Sequence, residues 1–114
     1  VLGAVPSPSF MLNWDPANAA ASGEVPYPDG YRLLPKDRIG HCHCKDTKKK
    51  GKDDWAPIGG GIIDWVGQYK ALKRDGYHFA VSLETHWSGG GSPEECSRKS
   101  WAGMKKLLQE ADAL

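Results

Sequence analysis

The run IGHCHCKD, residues 39–46, alternates two histidines with two cysteines and ends on a Lys-Asp pair. Imidazole and thiolate are the usual zinc ligands, so the run raises the question of a metal site. Along an extended strand, successive side chains point to opposite faces. His41 and His43 therefore share one face, and Cys42 and Cys44 the other. Only one pair can meet a given ion, and the chain contains no C-x-x-C. A four-residue His/Cys zinc cluster is geometrically poor here. The cysteines are expected to pack as small apolar residues beneath helices.

A different constellation arises at the ends of the apolar runs. Asp15 closes FMLNWD (10–15), His43 lies near the end of RIGHCHC (38–44), and Glu84 near the end of an extended run over 78–86. In parallel α/β folds, chemistry gathers at the carboxyl ends of strands. The separations of 28 and 41 residues suit successive βα units. Brought together, Asp, His and Glu make an oxygen-rich divalent-metal site with one imidazole. The plainer reading of the same residues is a self-satisfied polar cluster.

The intervening segments supply the scaffold. Pro16 is read as the end of the first strand, and 17–35 as a loop with a short helix around Asp29 to Leu34. KDTKKKGKDD reads as a charged loop. DWVGQYKALKRDGY places Trp65, Tyr69 and Leu72 on one helical face and ends near Gly76, a natural helix stop. Ser92-Pro93-Glu94-Glu95 is a capping box with proline in the first turn. Trp101, Met104, Leu107, Leu108 and Ala111 are the expected buried face of that last helix. Strand–loop, strand–helix, strand–helix predicts an α/β fold with a parallel sheet and right-handed crossovers.

Composition narrows the partners. The 114 residues suit one small unit, 1–114, or a piece of something larger; the absence of an initiator Met favours a piece. With 15 basic and 14 acidic residues, the formal charge of +1 makes no electrostatic case for nucleic acid or an anionic membrane. No apolar run approaches the roughly 20 residues of a membrane span. VLGAVPSPSF has neither the basic nor the apolar region of a signal peptide. An odd count of three cysteines points to a reducing compartment, so the cytoplasm is expected.

NWDPAN, IGHCHCKD, PIGGGIIDW, ALKRDGY and SLETHW occur in an order that resembles the xylose isomerase-like TIM-barrel superfamily. That group includes sugar phosphate isomerases and epimerases, ketose 3-epimerases and inosose dehydratases. The resemblance covers nearly the whole chain and implies the last three βα units, strands six to eight, of a (β/α)8 barrel. It implies a divalent cation, manganese first and magnesium, cobalt or zinc as alternatives, held by Asp15, His43 and Glu84. A further ligand glutamate on strand five would lie before Val1. Glu84 would also transfer a proton beside a sugar carbonyl, through an enediolate.

The resemblance also implies substrate contacts for a sugar or polyol. Asn18 stands where the epimerases often have a histidine, and Lys49 where they usually have an arginine. His41 and His86 share the faces of His43 and Glu84 and join the candidates. Trp55 and Trp87 are the better stacking platforms, whereas Trp14 and Trp65 read as core. The apurinic-site endonucleases of the superfamily carry a histidine where Trp55 stands and another at Asn18, so their three-zinc site is not expected.

A closed barrel of this type takes about 250 residues. As a single chain of 114, the barrel is incomplete, with exposed sheet edges. Completion by an N-terminal barrel segment or self-association is therefore expected. The alternative to an enzyme part is a non-catalytic interaction module; an inosose dehydratase-like lyase is a further one.

Overall fold

In the computed structural model, which describes residues 2–114, three strands form one parallel sheet in the order β1, β2, β5. β1 is Leu12–Trp14, β2 is Ile39–Cys44 and β5 is Val81–Leu83. Each falls inside an expected strand. The register sets Asn13 beside His41, and His43 beside Ser82. On β2, Ile39, Cys42 and Cys44 are buried, and the three free cysteines of the chain are all in the interior. His41 and His43 point to the opposite, half-open face.

The segment after β1 differs from expectation. Pro16–Ala21 is a helix, α1, rather than a loop. Asp15 caps it, accepting the Asn18 N–H on Oδ1 at 2.9 Å, and Pro16 sits in the first turn, where its missing N–H costs nothing. Ala17 and Ala20 are fully buried. A short helical segment, Pro26–Gly30, runs on through Tyr31 and Arg32 and so overlaps the short helix expected around 29–34; a 3-10 turn at Lys36–Arg38 then leads into β2.

The charged loop after β2 is tied at its base. Asp46–Thr47 (β3) and Trp55–Ala56 (β4) pair as a small antiparallel ribbon, so the loop is a hairpin excursion. Thr47 Oγ1 accepts the Asp54 N–H at 3.3 Å, and Lys48 N–H donates to the Asp54 carbonyl at 2.8 Å.

α2 spans Trp65–Arg74, capped by the Asp64 carboxylate, and stops at Gly76, whose φ of +78° suits a residue without Cβ. α3 spans Pro93–Glu110, and Ser92 Oγ accepts the Glu95 N–H at 3.2 Å, as the capping box predicts. Its buried stripe is Cys96, Ser100, Met104 and Leu108, one residue per turn, continued by Ala111. Trp101 corrects the expected face: it is 50% exposed. It stands with Leu83 along the outer edge of β5, where no further strand pairs among the described residues. Met104 and Leu108 join Trp65, Tyr69 and Leu72 in one apolar cluster with Cys42 and Cys44. Among the described residues, no helix is long and apolar enough to cross a membrane.

Candidate metal centre

The parallel register delivers Asp15, His43 and Glu84 to one end of the sheet. Asp15 directly follows β1, and His43 is the penultimate residue of β2. Glu84 follows β5, and its N–H donates to the Cys44 carbonyl at 3.0 Å, which extends the sheet pairing by one residue. One donor atom from each residue lies within 4.8 Å of the others. His43 Nδ1 is 3.3 Å from Glu84 Oε2 and 3.8 Å from Asp15 Oδ2. Divalent first-row ions and magnesium take N and O donors at about 2.0–2.2 Å, which sets neighbouring donors about 3–4 Å apart.

The two oxygens of Asp15 differ. Oδ1 is committed to the cap of α1, whereas Oδ2 is buried and makes no hydrogen bond. Lys45 Nζ stands 3.2 Å from Oδ2, a charge contact without hydrogen-bond alignment. A buried carboxylate oxygen with free lone pairs, facing an imidazole and a second carboxylate, fits a cation. The donor set of two carboxylates and one imidazole could hold a divalent ion, and Asp15 Oδ2, in charge contact with Lys45 but in no hydrogen bond, points into it.

Lys45 is the residue that the motif reading missed. Its side chain is 3% exposed, and Nζ donates to Glu84 Oε2 at 2.7 Å. His86 Nδ1 lies 3.4 Å from the same ammonium, and the Trp55 ring centroid 4.7 Å from it. The alternation that pairs His41 with His43 continues to residue 45, so two-residue spacing pointed to it. Asn13 was missed likewise: two residues before Asp15, it brings Nδ2 to 3.4 Å from His43 Nδ1. The hydrogen bond from Lys45, helped by the charges of Lys45, His43 and His86, holds the Glu84 carboxyl below its ordinary value.

The remaining candidates divide. His41 packs edge-on against His43, with ring centroids 5.2 Å apart. His86 Nε2 faces Glu84 Oε1 at 3.5 Å, and its ring meets Trp55 edge-on. Trp87 lines a cavity of about 360 Å³ with His86, Thr85 and Pro93. Asn18 reaches the cluster through its main chain, in the cap on Asp15; the residue itself is exposed. Lys49 lies outside the cluster, 63% exposed and 3.8 Å from Asp54.

Asp46 anchors the floor beneath. Fully buried, it accepts the N–H groups of Thr47, Gly59 and Ile63 at 3.0, 3.0 and 3.2 Å. Burial raises its carboxyl above the ordinary value, and those N–H groups oppose the rise. A Cβ on Gly61 would overlap Asp46 Oδ1 and the Thr47 carbonyl, so glycine is needed where this turn crosses Asp46.

The xylose isomerase-like TIM-barrel model matches residues 1–107. The chain belongs to the xylose isomerase-like TIM-barrel family. Among solved structures, a xylose isomerase domain protein from Alicyclobacillus acidocaldarius subsp. acidocaldarius is similar in fold, with a TM-score of 0.74 at 23% identity. The alignment covers 97% of this chain and 41% of that protein. No curated protein sequence matches the chain. The three-stranded sheet is thus an α/β portion of a xylose isomerase-like barrel domain, spanning about two-fifths of that relative.

Proposed function

We propose that the chain supplies strands six to eight of a divalent-metal-dependent sugar or sugar phosphate isomerase or epimerase. Asp15, His43 and Glu84 are the ligands it contributes, with manganese the first choice of ion, and a partner segment completes the barrel. The observation that carries this reading is the convergence of those three donors within 4.8 Å at the ends of adjacent parallel strands, with Asp15 Oδ2 in no hydrogen bond. When bound, such an ion polarises a substrate carbonyl and offsets the charge of the enediolate.

The chain's own residues supply the proton chemistry. Glu84, kept ionised by Lys45, is the group that takes a proton from the carbon beside the carbonyl. His86, against the other Glu84 oxygen, and Trp55 form a rim suited to a polyol, one offering hydrogen bonds and the other an apolar face. His41 supports the ring of His43. A fourth ligand, a carboxylate, and most substrate contacts come from the partner segment.

The test is solvent-deuterium incorporation into a ketose by the chain combined with a segment carrying strands one to five of a barrel of this family and manganese. Incorporation beside the carbonyl, abolished by Glu84→Gln, is the expected result. Equal incorporation with Glu84→Gln would remove Glu84 from the chemistry.

One observation favours a second reading, a non-catalytic interaction module. Trp101 and Phe79 are 50% and 46% exposed, and the outer edges of β1 and β5 are unpaired among the described residues. A Trp101→Glu variant that lowers self-association in sedimentation, with no ion bound by the parent chain, would favour the module.

A further inference from the structure

The two oxygens that face His43 are the same two that face Lys45. Glu84 Oε2 lies 3.3 Å from His43 Nδ1 and 2.7 Å from Lys45 Nζ; Asp15 Oδ2 lies 3.8 Å and 3.2 Å from them. An ammonium this deeply buried is costly unless paired, and its neighbours are two carboxylates, one imidazole and one indole face. We infer that Lys45 is a tethered counter-cation: it holds Asp15 Oδ2 and Glu84 Oε2 together in the ion-free chain, and it gives up those oxygens when a divalent ion binds. This inference rests on the metal reading above.

Charge and geometry both support exchange rather than coexistence. Two carboxylates and one ammonium leave the cluster with a net charge of −1. A divalent ion on the same oxygens would make the cluster positive and repel the ammonium at close range in a partly dry site. The hold on Asp15 is the weaker one, because the contact lacks hydrogen-bond alignment, so Oδ2 is the oxygen released first.

Only the end of Lys45 is free to move. Its backbone is pinned where β2 passes into β3, and its carbonyl accepts the Trp65 indole N–H at 3.0 Å. The Trp55 face offers the displaced ammonium a cation–π partner without a return to water. Lys45 is thus a positioning residue for the two carboxylates.

Lys45→Met keeps the length and apolar stem and removes the charge. Manganese titrations read by electron paramagnetic resonance, with melting curves taken with and without the ion, compare it with the parent chain. The expected variant melts lower without metal, binds manganese at least tenfold more tightly, and gains a larger melting shift on loading. Equal or weaker binding by the variant would overturn the exchange while leaving the metal site standing. No binding by either chain would overturn both.

A second measurement on the parent chain separates direct contact from long-range repulsion and does not depend on the variant folding. In lysine side-chain 15N spectra, the Lys45 ammonium signal is expected to move or vanish on saturation with zinc. A signal left unchanged with zinc bound would show that Lys45 keeps its oxygens, and would overturn the inference.

Discussion

The indole N–H of Trp65 donates to the carbonyl of Lys45 at 3.0 Å. That bond joins the first residue of α2 to the point where β2 leaves the sheet, and so ties the helical layer to the residue between the two carboxylates. Trp65 is 1% exposed and stacks obliquely on Tyr69, so it anchors the core as well.

Trp65→Phe keeps an aromatic ring in place and leaves the Lys45 carbonyl without its donor. Losing a buried partner costs about 1–3 kcal/mol. The smaller ring adds to that. Urea unfolding of the two chains is expected to show a lower midpoint with an unchanged slope. An unchanged midpoint would mean that the bond contributes nothing to stability.

Asp46→Ala removes the acceptor for three backbone N–H groups in a fully buried turn. The expected loss exceeds that for Asp46→Asn, whose amide keeps one acceptor oxygen, by about 1–3 kcal/mol. Hydrogen exchange at Gly59 and Ile63 should accelerate more than exchange along α3. Uniform acceleration would show global unfolding instead of a released turn.

The three ligand candidates were legible because their strands were. Alternation in IGHCHC separated histidines from cysteines, and the parallel register then carried Asp15, His43 and Glu84 to one place. Lys45 is hidden because KDTKKKGKDD reads as a solvated charge run, and the sequence does not mark where the sheet hands over to the ribbon. Helix α1 is hidden because Pro16 reads as a strand stop; an Asp before a Pro is equally a helix start, with the carboxylate as cap. Trp101 misled for a different reason. Helical spacing marks an apolar face, but what covers that face is set by neighbours, and along β5 no further strand is paired among the described residues.

Acid should weaken the chain through Asp75. Its carboxyl is held below its ordinary value of 3.8, chiefly by Arg74 beside it and, against the opposing effect of burial, by the Tyr31 hydroxyl, which donates at 2.9 Å. A carboxyl lowered on folding stabilises the native state above its unfolded value and loses that contribution as pH falls through the folded one. Stability is therefore expected to drop below about pH 4. Tyr31→Phe should make that drop shallower. Melting curves from pH 6 to pH 2.5 check this, and an unchanged acid limb in Tyr31→Phe would remove Tyr31 from the account.

The most direct test of the metal centre is native mass spectrometry of the manganese-loaded chain, before and after a chelator, beside an Asp15→Asn variant. Asparagine keeps the helix cap and loses the charge. One divalent ion per chain is expected, in the monomer or a complex, removed by the chelator and held more weakly or lost in the variant. An ion-free chain under loading, or an ion retained equally by Asp15→Asn, would contradict it.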